Sequence, residues 1–210
     1  MLLRRLLALC LLLPITPVGC AQAVDARVEA TPKPTFTPTS TPTPDPWALL
    51  TGARADGTVV LFRHASAPGG GDPPGLVLGD CSTQRNLSDE GRAQARRLGA
   101  LFREHGVRVG AVWHSQWCRT RDTADLAFPG QGQPEPVFNS FFDREDRQAS
   151  ATAAARRSLA GWRGPGVLVV VTHQVNITAL TGVWPQSGEG VVLQRGSDGQ
   201  LAAAGRLPPP

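Results

Sequence analysis

Two stretches of this chain are almost solidly apolar and mostly β-branched: Val59-Val60-Leu61-Phe62 and Val167-Leu168-Val169-Val170-Val171. A strand with one wet face alternates apolar with polar residues. A strand without alternation must be covered on both faces, as inside a parallel sheet with helices on either side. Helical patterns lie between the two runs, and strands alternating with helices form layered α/β domains. The expected fold class is therefore α/β: one three-layer α/β/α domain with a mainly parallel sheet. Each run also stops abruptly. The first ends at Arg63-His64 and dissolves into Ala-Ser-Ala-Pro-Gly-Gly; the second ends at Thr172-His173-Gln174. Open α/β sheets bind ligands beyond the carboxyl ends of their strands, so two imidazoles and a guanidinium are delivered to that edge.

The intervening segments support the same layout. In Asn86–Gly106, Ser88 is a fitting N-cap, Asp89 and Glu90 suit the positive helix start, and Gly106 suits the end. Leu98, Leu101 and Phe102 keep one face apolar, while Arg92, Arg96, Arg97 and Arg103 form a solvated surface. Val107–Ser115 reads as a second strand, leading through Ser115 to Arg119 on a short helix. Ala151–Trp162 reads as an alanine-rich helix, and the C-terminal stretch as a hairpin turning at Asp198-Gly199.

The N-terminal quarter belongs to a different physical class. Arg4-Arg5 followed by apolar Leu6–Leu13 is too short to span a bilayer and reads as a secretory leader, residues 1–20. Pro17-Val18-Gly19-Cys20 resembles a lipobox, which makes Cys20 the candidate lipidation site; Ala21-Gln22-Ala23 is the competing site for ordinary cleavage. Residues 21–46 form a Thr/Pro-rich linker that can build neither helix nor ladder and is expected to be disordered and extended. The folded domain is expected over 47–207. The net charge of +4 loses Arg4 and Arg5 with the leader, leaving +2, which gives no basis for nucleic-acid binding. The expected location is outside the cytoplasm, held to the envelope by a lipid on Cys20 or else secreted or periplasmic.

Two arginines and two histidines at one point suit a tetrahedral dianion, because guanidinium forks match phosphate oxygens bidentately. An unprotonated histidine, with an ordinary pKa of ~6.5, can itself be the nucleophile. In this respect the chain resembles the histidine phosphatase superfamily, which includes phosphoglycerate mutases and many acid phosphatases. The resemblance is carried by Arg63-His64-Ala65, by Leu87, Gly91, Gln94 and Ala95, by Ser115, Arg119, Thr123 and Ala124, and by His173, where Thr172 stands in place of a usual glycine. It implies that His64 is the nucleophile, that Arg63 and Arg119 clamp the phosphate, and that His173 donates to phosphoryl oxygens. His105 falls to a helix end and His114 to the pocket rim.

The resemblance also implies a carboxylic acid between the second arginine and the second histidine. Asp143 is the expected acid, partly buried behind Phe141-Phe142, with Glu145 and Asp146 as alternatives; the alternative role of all three is to open the next helix. The function expected is a phosphomonoesterase without metal or cofactor, acting as a monomer on a small phosphorylated substrate. The other class is a phosphate-binding envelope protein that has lost turnover. The segment Asp80–Ser88 resembles that of exported phosphatases acting on lipopolysaccharide core heptose phosphates. With Cys10 and Cys20 assigned to the leader and its processing, Cys81 and Cys118 remain as a pair in a compartment where disulfides persist. A Cys81–Cys118 bond at the rim of the pocket is expected.

Overall fold

The structure, a computed structural model, describes residues 45–52 and 55–210. The expected leader, Cys20 and the Thr/Pro segment as far as residue 44 lie outside the described residues. In chain order the elements are α1 (Ala48–Thr51), β1 (Val59–Arg63), α2 (Asp89–Glu104), β2 (Val109–His114), α3 (Cys118–Ala127), β3 (Gly132–Pro134), α4 (Gln148–Gly161), β4 (Val167–Thr172), α5 (Gln174–Thr181), β5 (Gly190–Arg195) and β6 (Leu201–Leu207). The two apolar runs, β1 and β4, pair in parallel with Val59 opposite Leu168 and Arg63 opposite Thr172. The six strands run in the order β3-β2-β4-β1-β5-β6. The first four are mutually parallel, and β5 and β6 add an antiparallel hairpin.

The missing alternation in β1 and β4 has the cause inferred from sequence. Val60 and Phe62 pack with Leu98 and Phe102 of α2 and Ala124 and Ala127 of α3. Val59 and Leu61 pack on the other face with Ala155 and Leu159 of α4 and Ile177 and Leu180 of α5. That is the three-layer α/β/α domain. Ser88 caps α2 by accepting from the Gly91 N–H at 3.1 Å, a bond whose loss typically costs ~1 kcal/mol. The helix ends at His105, whose ring stacks on Trp47 at 4.2 Å between centroids. The hairpin turns at Asp198-Gly199, with Gly199 at φ 76°.

Two elements depart from the sequence expectation. β3 is a short parallel edge strand whose Gly-Gln-Pro sequence carries no strand pattern; only pairing with Val112–His114 makes it one. α4 begins at Gln148 rather than Ala151, because a 3₁₀ turn over Glu145–Arg147 leads directly into it.

Candidate active site

β1, β2 and β4 all deliver residues to the carboxyl edge. The His64 N–H donates to Thr172 O at 3.0 Å, which carries the β1–β4 pairing one residue past the strand. The imidazoles of His64 and His173 then lie 5.7 Å apart between centroids, edge to face. His64 is 2% exposed, and its Nδ1 is 2.8 Å from Ala65 O. A carbonyl only accepts, so Nδ1 carries the proton and the neutral ring keeps a bare Nε2. Burial, and then the charge of Arg119, pull the His64 pKa from 6.5 to about 3. The sequence placed this histidine near its ordinary pKa; the fold makes it a neutral base throughout the physiological range.

The motif residues have mechanical reasons for their spacing. The turn after His64 is held on both sides. The Ala65 N–H donates to Thr123 Oγ1 at 3.0 Å, and that hydroxyl donates to Arg119 O at 2.7 Å, tying α3 to the turn. The Ser66 N–H donates to Gln94 Oε1 at 2.9 Å, and Gln94 Nε2 donates onward to Ser187 O at 3.1 Å. Gly91 is needed because a Cβ there would sit 2.0 Å from Ser66 O, so α2 reaches the turn only with a bare backbone.

Arg63, Arg85 and Arg119 share one cavity of about 240 Å³ with His64 and His173. Burial, and then Arg119, lower the pKa of both Arg63 and Arg85, as expected of cations crowded together. Each of the three buries an Nε–H without an acceptor among the described residues. Such a cluster favours a multiply charged anion. Arg119 is fixed in α3 beside the disulfide: Cys81 and Cys118 are bonded, with Cα atoms 5.7 Å apart. His173 is 3% exposed, and burial followed by Arg119 holds its pKa well below the ordinary value. Its Nε2 lies 2.8 Å from Ser115 Oγ, which accepts the Trp117 N–H at 3.3 Å and is free to donate its own proton. In the tautomer in which that hydroxyl donates to Nε2, the His173 Nδ1–H is left for a phosphoryl oxygen. Arg119 Nη2 approaches Nδ1 at 3.4 Å, long for a hydrogen bond, and does not fix the tautomer.

The expected acid is not in this cluster. Asp143 is exposed, as are Glu145 and Asp146, and none of them lines the cavity. The turn buries Phe141 and brings Ser140 and Phe142 to the cavity instead, so the anticipated partial burial of Asp143 is absent. Asp146 pairs with Arg144 at 2.9 Å and prepares the start of α4. His114 is also corrected: it is buried, its Nδ1 donates to Ser115 O at 2.7 Å, and it does not line the cavity.

Sequence reasoning missed Arg85 and Asp72. Arg85 stands two residues before the motif Leu87, in the segment that leads into α2. Asp72 had no local signal; its partner Arg119 is 47 residues away. Among the described residues, no group of three or more His, Cys, Asp or Glu side chains gathers to hold a metal.

Residues 59–140 match the family model described as histidine phosphatase superfamily (branch 1). No curated protein matches the chain by sequence. Among solved structures, the chain is similar to phosphoserine phosphatase from Entamoeba histolytica in complex with 3-phosphoglyceric acid. The TM-score is 0.53 at 12% identity, covering 71% of this chain and 95% of that one. It is also similar to mycobacterial glucosyl-3-phosphoglycerate phosphatase in complex with VO3, with a TM-score of 0.50 at 14% identity, covering 69% and 95%. A protein named mycobacterial hydrolase 1 gives a TM-score of 0.52 at 14% identity, covering 69% and 94%. At these identities the likeness is one of fold.

Proposed function

We propose, from the match of residues 59–140 to the histidine phosphatase superfamily model, that the chain is an exported, metal-independent phosphomonoesterase of that superfamily working through a phosphohistidine on His64. The observation that carries this is the bare Nε2 of a neutral His64 in one cavity with three guanidiniums. Phosphoryl transfer spreads charge over the equatorial oxygens, so fixed donors supply most of what catalysis needs. Arg63, Arg85 and Arg119 bind the phosphate, and His173 donates to it. The P–Nε2 bond forms as the P–O bond to the leaving group breaks, and the leaving oxygen takes a proton. Water then attacks phosphorus, returns a proton to the donor, and frees inorganic phosphate and neutral His64. The exposed rings of Phe142 and Trp184 at the cavity support a leaving group with apolar or ring surface.

Export is supported by the leader-like sequence of residues 1–20 and by the Cys81–Cys118 bond, which suits an oxidising compartment. A lipid on Cys20 with the Thr/Pro linker then tethers the domain to the envelope. The test is hydrolysis of an activated aryl phosphate by the purified domain, with His64→Ala alongside. Wild-type turnover with phosphate trapped on His64, and none in the variant, is the expected result. Phosphate binding without any hydrolysis would return the reading of a pocket that only binds.

A further inference from the structure

Asp72 is the one carboxylate lining the cavity among the described residues, and it sits on the catalytic guanidinium. Its Oδ1 accepts from Arg119 Nη1 at 2.7 Å and its Oδ2 from Arg119 Nη2 at 3.0 Å, the two-point fork a phosphate would also use. Each oxygen has a second partner outside that fork. Oδ1 accepts the Arg85 N–H at 3.3 Å and Oδ2 accepts Trp117 Nε1–H at 3.0 Å. The pair is well shielded, with side chains 4% and 13% exposed. Asp72 follows Gly69-Gly70-Gly71, of which Gly69 is at φ +104° and a Cβ on Gly70 or Gly71 would meet nothing within 4 Å. The carboxylate is therefore carried on a backbone with room to shift.

We infer that Asp72 is the proton donor to the leaving-group oxygen, waiting on Arg119 until the substrate's phosphate displaces it from the fork. This rests on the phosphomonoesterase reading above. Trp117 and Arg85 N–H keep the displaced carboxyl at the cavity. Burial by itself raises the Asp72 pKa, and only the Arg119 fork, with Arg85 N–H and Trp117, brings it below the ordinary value. Once Arg119 turns to a phosphate dianion, burial remains and an anion replaces the cation, both favouring the protonated acid. In the first step the Asp72 proton passes to the leaving oxygen as the P–O bond breaks and P–Nε2 forms. In the second, the Asp72 carboxylate accepts a proton from the attacking water, and the acid is restored.

The experiment measures turnover of monoesters from activated aryl to alkyl leaving groups by wild type, Asp72→Asn and Asp143→Asn, together with inhibition by inorganic phosphate. Asp72→Asn is expected to slow alkyl esters ~10²-fold or more, to slow the activated aryl ester only a few-fold, and to bind phosphate several-fold more tightly. Asp72→Glu is expected to recover part of the alkyl-ester rate. Equal slowing of every ester, or no tighter phosphate binding, would assign Asp72 to loop packing and overturn the inference. A leaving-group-dependent loss in Asp143→Asn instead would overturn it too. If Asp72→Asn does not fold, wild type serves: alkyl-ester kcat should fall on the alkaline side while aryl-ester kcat does not, and parallel profiles would refute the donor. No wild-type turnover of the aryl ester would overturn the phosphatase reading itself, and this one with it.

Discussion

Gly91→Ala should cost both stability and activity, although alanine is the better helix former. The substitution gains ~1 kcal/mol of helix propensity. Its Cβ, however, would sit 2.0 Å from Ser66 O, where ordinary contact begins at 3.4 Å. The start of α2 and the turn after His64 must therefore separate by 3.4 less 2.0, roughly 1.4 Å, and overpacking of this kind costs ~1–3 kcal/mol. The Ser66 N–H bond to Gln94 would be stretched by the same movement. Misplacing a catalytic group by about 1 Å can cost ~10²-fold in rate, so kcat/KM should fall by that order. Gly99→Ala is the matched control, since its Cβ would meet Ala127 O, also at 2.0 Å, at the far end of α3. Urea unfolding should show both variants destabilised, while aryl phosphatase activity collapses only in Gly91→Ala. Wild-type activity and stability in Gly91→Ala, or equal loss of activity in both, would refute the claim that α2 positions the nucleophile.

Replacing Cys81 and Cys118 together by serine should cost about 4 kcal/mol in urea unfolding, the chain-entropy value for their 37-residue separation; an unchanged midpoint would remove the bond from the stability argument. Arg119→Lys keeps charge but loses the fork, so kcat/KM should fall by roughly 10²-fold, as when one preorganised donor is removed. Because the His64 pKa is depressed from 6.5 to about 3 in the folded chain, its contribution to stability is complete above about pH 6.5. It is lost progressively as pH falls toward 3, by up to roughly 5 kcal/mol at ~1.4 kcal/mol per unit. Urea unfolding of wild type should weaken more between pH 7 and pH 4 than that of His64→Asn, and identical slopes would contradict the buried neutral ring.

The three-layer fold was legible because its evidence is local. An unalternating strand such as Val167–Val171 can be satisfied only by cover on both faces, and the residues that end each run necessarily reach the same sheet edge. Four of the five expected site residues, Arg63, His64, Arg119 and His173, meet in the cavity for that reason. The Cys81–Cys118 pair was legible from cysteine count and placement. The strand β3 was not, since Gly-Gln-Pro becomes a strand only when a neighbour offers its edge. The carboxylate at the cavity was not legible either. Among Asp143, Glu145 and Asp146 the chain offers three equivalent carboxylates, and a turn that buries Phe141 leaves all of them exposed. The carboxylate that does reach the arginines comes from a glycine-proline loop without periodicity, across 47 residues of chain. Which side chains reach the edge follows from strand period and length, which sequence carries. Their charge states and partners depend on desolvation and on contacts between distant segments, and these arise only in the folded chain. The depressed pKa of His64 and the Asp72–Arg119 fork are both of that second kind.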